Sequence, residues 1–210
     1  MMKNLLLSSF IFLLFAGCTF GHYGRLKKVA AHSSSPKPIF GDNFNSFLFK
    51  TNITIYGKDI SGLLVTKQMA PQDYRVIFTS ELGMKLFDFE FKDTSFTLHY
   101  CVPQFNRPAL LHTIQHDIEI LLMNNLAEKP LTCQTDSRGL YDIQCIQIDN
   151  KYNYYFTDKV SQHIVKIEHS NRRIKIVIFN LNNYKDDFPN NVLIKHCDIK
   201  LKIELNLLKR

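Results

Sequence analysis

Apolar residues at every second position constrain this chain more than any other feature. In the last stretch Ile199, Leu201, Ile203, Leu205 and Leu207 alternate with Lys200, Lys202, Glu204 and Asn206. Successive side chains of a strand point to opposite faces, so this spacing buries one face and wets the other only in a β-strand. The period recurs from Phe47, where Phe47, Phe49, Ile53 and Ile55 oppose Lys50, Asn52 and Thr54. Turns at Gly57-Lys58-Asp59, Pro71-Gln72-Asp73, Glu81-Leu82-Gly83 and Lys92-Asp93 separate it from four further runs. These are Ile60 to Gln68, then Tyr74, Val76 and Phe78, then Phe87, Phe89 and Phe91, then Phe96, Leu98 and Tyr100. Five strands in an antiparallel meander follow from this.

One segment breaks the rhythm. Leu110, Leu111, Ile114, Ile118, Leu121 and Leu122 recur at helical spacing, Asn106 is placed to cap, and Pro108 suits a first turn. The spacing predicts a helix from about Arg107 to Met123. Strands then resume. Tyr141, Ile143 and Cys145 share a face while Ile146 and Ile148 fall on the other, the mark of a bulge. Tyr152 to Thr157 is a short strand, and Ile164 to Glu168 with Arg173 to Phe179 flank a hairpin turn at Ser170-Asn171. Asn182 to Asn191 is polar and holds a proline, so it reads as a loop. The expected fold class is mainly β with a covering helix (α+β), about ten antiparallel strands in two blocks.

The amino terminus follows different rules. Met1, Met2 and Lys3 precede an apolar run from Leu5 to Leu14, and Phe15-Ala16-Gly17-Cys18 closes it. A basic start, an apolar middle and a small-residue end make a secretory signal peptide. The run is about a dozen residues, too short to span roughly 30 Å of hydrocarbon as a helix. Cys18 directly after Ala16-Gly17 resembles the lipobox of bacterial lipoproteins, although Phe15 stands where that family commonly has Leu. The resemblance implies acylation of Cys18, removal of residues 1–17, and attachment to a membrane through the acyl groups. Residues 18–44 then read as the lipidated cysteine and a linker, punctuated by Gly21, Gly24, Ser33-Ser34-Ser35, Pro36 and Pro38. Residues 45–210 form the folded domain.

Export limits the remaining chemistry. A net charge of +7 suits anionic headgroups or a plain solvated surface; nucleic acid is not met by an exported chain, and no recognition motif is present. Besides Cys18, four cysteines remain: Cys101, Cys133, Cys145 and Cys197. They allow three pairings or none, with a bridge from Cys133 to Cys145 across a turn among the alternatives. No spacing matches a zinc or redox motif. His112 and His116 lie four apart on the predicted helix but lack the glutamate of HExxH and fall off the apolar stripe, so both read as solvent-facing. No Gly-x-Ser-x-Gly elbow or phosphate loop is present, and Asp142, Asp149, Asp186 and Asp187 do not converge. The reading is a non-catalytic chain with no metal and no cofactor.

The stretches Ile53-Thr54-Ile55-Tyr56-Gly57, Ser61 to Val65, and Arg75-Val76-Ile77-Phe78-Thr79-Ser80-Glu81-Leu82-Gly83 resemble the early sheet of the LolA/LolB lipoprotein carriers. The return at Met84-Lys85-Leu86-Phe87, the helix after Tyr100 and the segment from Phe188-Pro189 to Leu205 keep that family's order. Bacteroidetes-type lipoproteins of unassigned role are similar overall. The resemblance implies an open antiparallel half-barrel, LolB-like, with a helical cover over a hollow for acyl chains. Phe49, Ile53, Phe78, Phe87 and Phe89 are the candidates to line it. Implied partners are the membrane and the acyl chains of other lipoproteins or a periplasmic carrier, at the outer membrane. The alternative is a tethered interaction or assembly module whose barrel is filled. An apolar cavity of several hundred Å³ separates the two.

Overall fold

The computed structural model describes residues 27–28, 36–41, 44–123, 131–135, 138–171 and 174–210, with backbone alone for 27–28 and 131–135. Cys18, the signal segment and most of the linker lie outside the described residues. The strands are β1 (Lys27–Lys28), β2 (Ser46–Ile55), β3 (Lys58–Ala70), β4 (Asp73–Ser80), β5 (Lys85–Lys92) and β6 (Ser95–Cys101). After helix α1 (Pro108–Leu122) come β7 (Leu131–Thr135), β8 (Tyr141–Ile148), β9 (Lys151–Asp158) and β10 (Ile164–Asn171). The chain ends with β11 (Lys175–Lys185), β12 (Phe188–His196) and β13 (Leu201–Lys209).

The thirteen described strands form one antiparallel sheet in the order β1-β7-β8-β9-β10-β11-β12-β13-β2-β3-β4-β5-β6. Two meanders, β2 to β6 and β7 to β13, meet where β13 pairs with β2, Ile203 opposite Ile53. The sheet does not close: β6 ends one edge, and β7 and β1 end the other. That order dictates where the helix goes. The chain leaves the sheet at β6 and re-enters at β7, so α1 crosses between opposite ends. One face of the strands β2 to β5 and β8 to β13, together with α1, builds a single buried cluster, so the sheet curls around the helix.

The helix forms where its apolar spacing predicts, with Pro108 opening it. The residue at its cap is Arg107 rather than Asn106, and no side chain caps the amino end. Instead the turn Val102 to Arg107 supplies partners through its own backbone, Asn106 N–H donating to Val102 O at 3.0 Å. Met123 ends the helix in the left-handed conformation, at φ 54°.

Three local expectations need correction. Residues 182–191, read as a loop, form the β11–β12 hairpin, with Asn182 opposite Asn191 and Lys185 opposite Phe188. Asp186 and Asp187 both take positive φ, 49° and 66°, as a tight hairpin turn with right-handed strand twist requires. Polarity misled because these asparagines face outward and bond one another, Asn183 Nδ2 to Asn191 Oδ1 and Asn191 Nδ2 to Asn206 Oδ1. Pro189 is tolerated because it lies beyond Asn191, the last β12 residue paired with β13.

No bulge interrupts β8, which stays in register with both neighbours. Its apolar residues switch faces because both faces are buried: Ile146 joins the main core, while Ile143 and Cys145 join Tyr154 and Phe156 in a second cluster. Finally, Ile39 and Phe40, inside the stretch read as linker, are buried core residues. Phe40 packs on Phe47, which packs on Phe188, and Phe44 stacks on Tyr74, so aromatic rings fill the space at the start of β2, β4 and β12.

Candidate functional site: the space beneath the helix

The apolar face of α1 looks onto the middle of the sheet, and a cavity of about 30 Å³ separates them. From the helix come Ile114, Ile118, Leu121 and Leu122; from the sheet come Phe49, Ile53, Leu64, Val76, Phe87, Ile194, Ile203 and Leu205; Phe40 closes a corner. Thr51, Thr66 and Asp117 are the polar members of the lining. A volume of this size holds about two waters. It is far below the roughly 300 Å³ at which ligand pockets begin. In this structure the hollow is filled by its own side chains, not open to an acyl chain.

The five candidate residues divide in two. Phe49, Ile53 and Phe87 line the cavity. Phe78 and Phe89 do not, although both are fully buried. Phe78 lies over Gly62 and meets Phe87 and Phe105, while Phe89 stacks on Phe87 at 4.3 Å and meets Phe91 and Phe96 edge-on. These two support the wall from β4 and β5. Cys18 lies outside the described residues.

A polar seam that sequence reasoning missed fastens α1 to the sheet. Asp117 is 1% exposed and its Oδ2 lies 2.8 Å from His196 Nε2 on β12. Burial pushes the Asp117 carboxyl above its usual value, and the hydrogen bond and charge of His196 pull it back only in part. One turn edge further, His116 Nε2 lies 3.2 Å from His169 Nε2 on β10, and His169 Nδ1 lies 2.6 Å from Asn153 Oδ1 on β9. Burial, then the neighbouring charges of His116, Lys151 and His196, lower His169 to about 3, so it is neutral at pH 7. The signal for Asp117 was present: it stands three residues after Ile114 and four before Leu121, an acid inside an apolar stripe.

This corrects the reading of the helix histidines. His112 is exposed, but His116 is half-buried and turned to His169. Among the described residues no three His, Cys, Asp or Glu side chains group so as to hold a metal ion. Cys101 and Cys197 are thiols. Cys145 stands opposite Thr132, and Cys133 opposite Gln144.

On the outer face, β4 and β5 carry a charge cluster. Arg75 Nε lies 2.5 Å and Lys85 Nζ 2.7 Å from the two oxygens of Asp88, and Arg75 also reaches Glu90. Burial pushes Asp88 up, but the two cationic hydrogen bonds outweigh it and hold the carboxyl below its usual value. Glu168 is treated alike by Lys175 and Lys166. Both clusters fix strand register; neither faces the hollow.

No protein-family profile matches the chain, and neither does any curated protein. Solved structures do. A LolA superfamily protein from Nitrosomonas europaea superposes with a TM-score of 0.59 at 9% identity, over 86% of this chain and 92% of that one. A domain assigned to outer-membrane lipoprotein sorting, from Vibrio parahaemolyticus, gives 0.55 at 10% identity, over 80% of this chain and 85% of that one. A DUF1329 family protein from Desulfovibrio piger gives 0.51 at 7% identity, again over 80% and 85%. The chain has the LolA-like fold. Among the described residues no helix is long and apolar enough to cross a membrane.

Proposed function

We propose that this chain is a lipoprotein anchored through Cys18 whose half-barrel takes up acyl chains, of a lipid or of another lipoprotein, when α1 lifts from the sheet. The observation that carries this reading is the interface itself. A sheet that curls around one helix meets it through a mainly apolar lining around a residual cavity, and among the described residues the helix–sheet hydrogen bonds are those of Asp117 and His116. The LolA-like fold, shared with a domain assigned to lipoprotein sorting, supports the same reading. Acylated at Cys18, the protein stays at one membrane, so it receives cargo rather than shuttling it. The outer membrane is the proposed location.

The test is uptake of a hydrophobic fluorophore by protein lacking residues 1–18. Saturable binding that Phe87→Glu abolishes, with far-ultraviolet circular dichroism unchanged, is the expected result. Absence of saturable binding sinks the carrier reading. For the anchor, Cys18→Ser moves the protein out of the membrane fraction, and mass spectrometry of the wild type finds the acyl groups. The cavity of only about 30 Å³ favours a second reading, a tethered interaction module with a filled barrel, and that reading takes over if no ligand enters.

A further inference from the structure

The His116–His169 contact limits how many protons the docked helix can hold. His169 Nδ1 faces Asn153 Oδ1 at 2.6 Å, which requires a proton on that nitrogen. Its Nε2 faces His116 Nε2 at 3.2 Å, so one proton, and no more, fits between the two rings. His116 Nδ1 lies 3.5 Å from Glu119 Oε2 and takes a proton there without conflict. Protonating His169 as well sets two N–H groups head to head and puts a second cation beside the first. Undocked, the two rings no longer share one proton site, and each can carry its own proton.

The geometry points to α1 being fastened to β10 by a histidine pair that accepts one proton while docked and two when apart, so that mild acid releases the helix. Lys151 on β9 and His196 on β12 add positive charge around His169 and act in the same direction. The low value of His169 agrees: its stabilisation of the docked state is complete above about pH 6.5 and is lost as pH falls toward 3. Asp117 works against release. Its raised carboxyl takes up a proton in the docked state on acidification, and its neighbours are His196, His116 and Asp198. The device holds whether or not the hollow takes cargo, because it rests on the seam alone.

Hydrogen exchange of the full-length protein, read by mass spectrometry between pH 7 and pH 5 and corrected for intrinsic rates, tests it. The expected result is opening of α1 amides that rises by up to about twentyfold while β3 and β4 amides stay protected. His169→Gln flattens the α1 profile, His116→Asn weakens its pH dependence, and Asp117→Asn steepens it. Identical α1 profiles in wild type and His169→Gln, no rise in the wild type, or a parallel rise in sheet amides overturns the proposal.

Discussion

His196 Nε2 and Asp117 Oδ2 lie 2.8 Å apart across 79 residues of chain, joining β12 to α1 with side chains 4% and 1% exposed. Removing one partner leaves the other buried without a match, which costs more than the pair contributes. Asp117→Ala is expected to lower unfolding free energy by about 3–5 kcal/mol, measured by urea denaturation. Asp117→Asn costs less. Because burial raises the Asp117 carboxyl, its favourable contribution is present below the unfolded value and lost as pH rises through the folded one. Asp117→Asn therefore gains on the wild type as pH rises above the ordinary carboxylate value.

At Gly62 on β3, a Cβ atom would stand 2.0 Å from Thr79 O and 2.7 Å from the Phe78 ring. The backbone oxygen belongs to the β4 ladder and cannot move aside without breaking it. Gly62→Ala is expected to cost at least about 1–3 kcal/mol, the range for overpacking. Thermal unfolding reads it, and a change within a few tenths of a kcal/mol contradicts the close approach.

Asp88 is nearly buried between Arg75 and Lys85, and its carboxyl titrates below the usual range. A depressed acid stabilises above its unfolded value and loses that contribution as pH falls through the folded one. Arg75→Met is expected to cost about 2 kcal/mol at pH 7, less than for a fully buried pair because Arg75 is 28% exposed. The difference from wild type shrinks in acid as the Asp88 carboxyl takes up its proton. Denaturation at pH 7 and in acid checks the sign.

Ile203 lines the cavity from β13 and is 5% exposed. Ile203→Ala is expected to lose about 2–5 kcal/mol of stability. If the hollow admits apolar ligands, the variant also binds the fluorophore more tightly than the wild type. Lost stability without added binding points to a filled barrel.

Strands β2, β3, β4 and β13 were legible because each buries one face and wets the other, which writes period two into the residues. Helix α1 was legible for the same reason at period 3.6. The β11–β12 hairpin was not, since Asn182, Asn183 and Asn191 gain their strand geometry from partners in the sheet rather than from their own preferences. The cavity lining was half legible. Phe49, Ile53 and Phe87 alternate correctly, yet so do Phe78 and Phe89, and only how far along its strand each residue lies relative to the helix tells them apart: Phe87 and Phe89 share β5.

The sequence alone determined most of the strands, where the covering helix lies, and that an apolar run ends at Cys18. These are local facts, set by the spacing of apolar side chains along the backbone. Tertiary structure decided the rest: β13 beside β2, the helix stretched between opposite ends of the sheet, a cavity closed to about 30 Å³, and the meeting of Asp117 with His196 and of His116 with His169. Such contacts join residues 53 and 79 apart, where no local preference reaches and only the pairing order of the whole sheet brings the partners together.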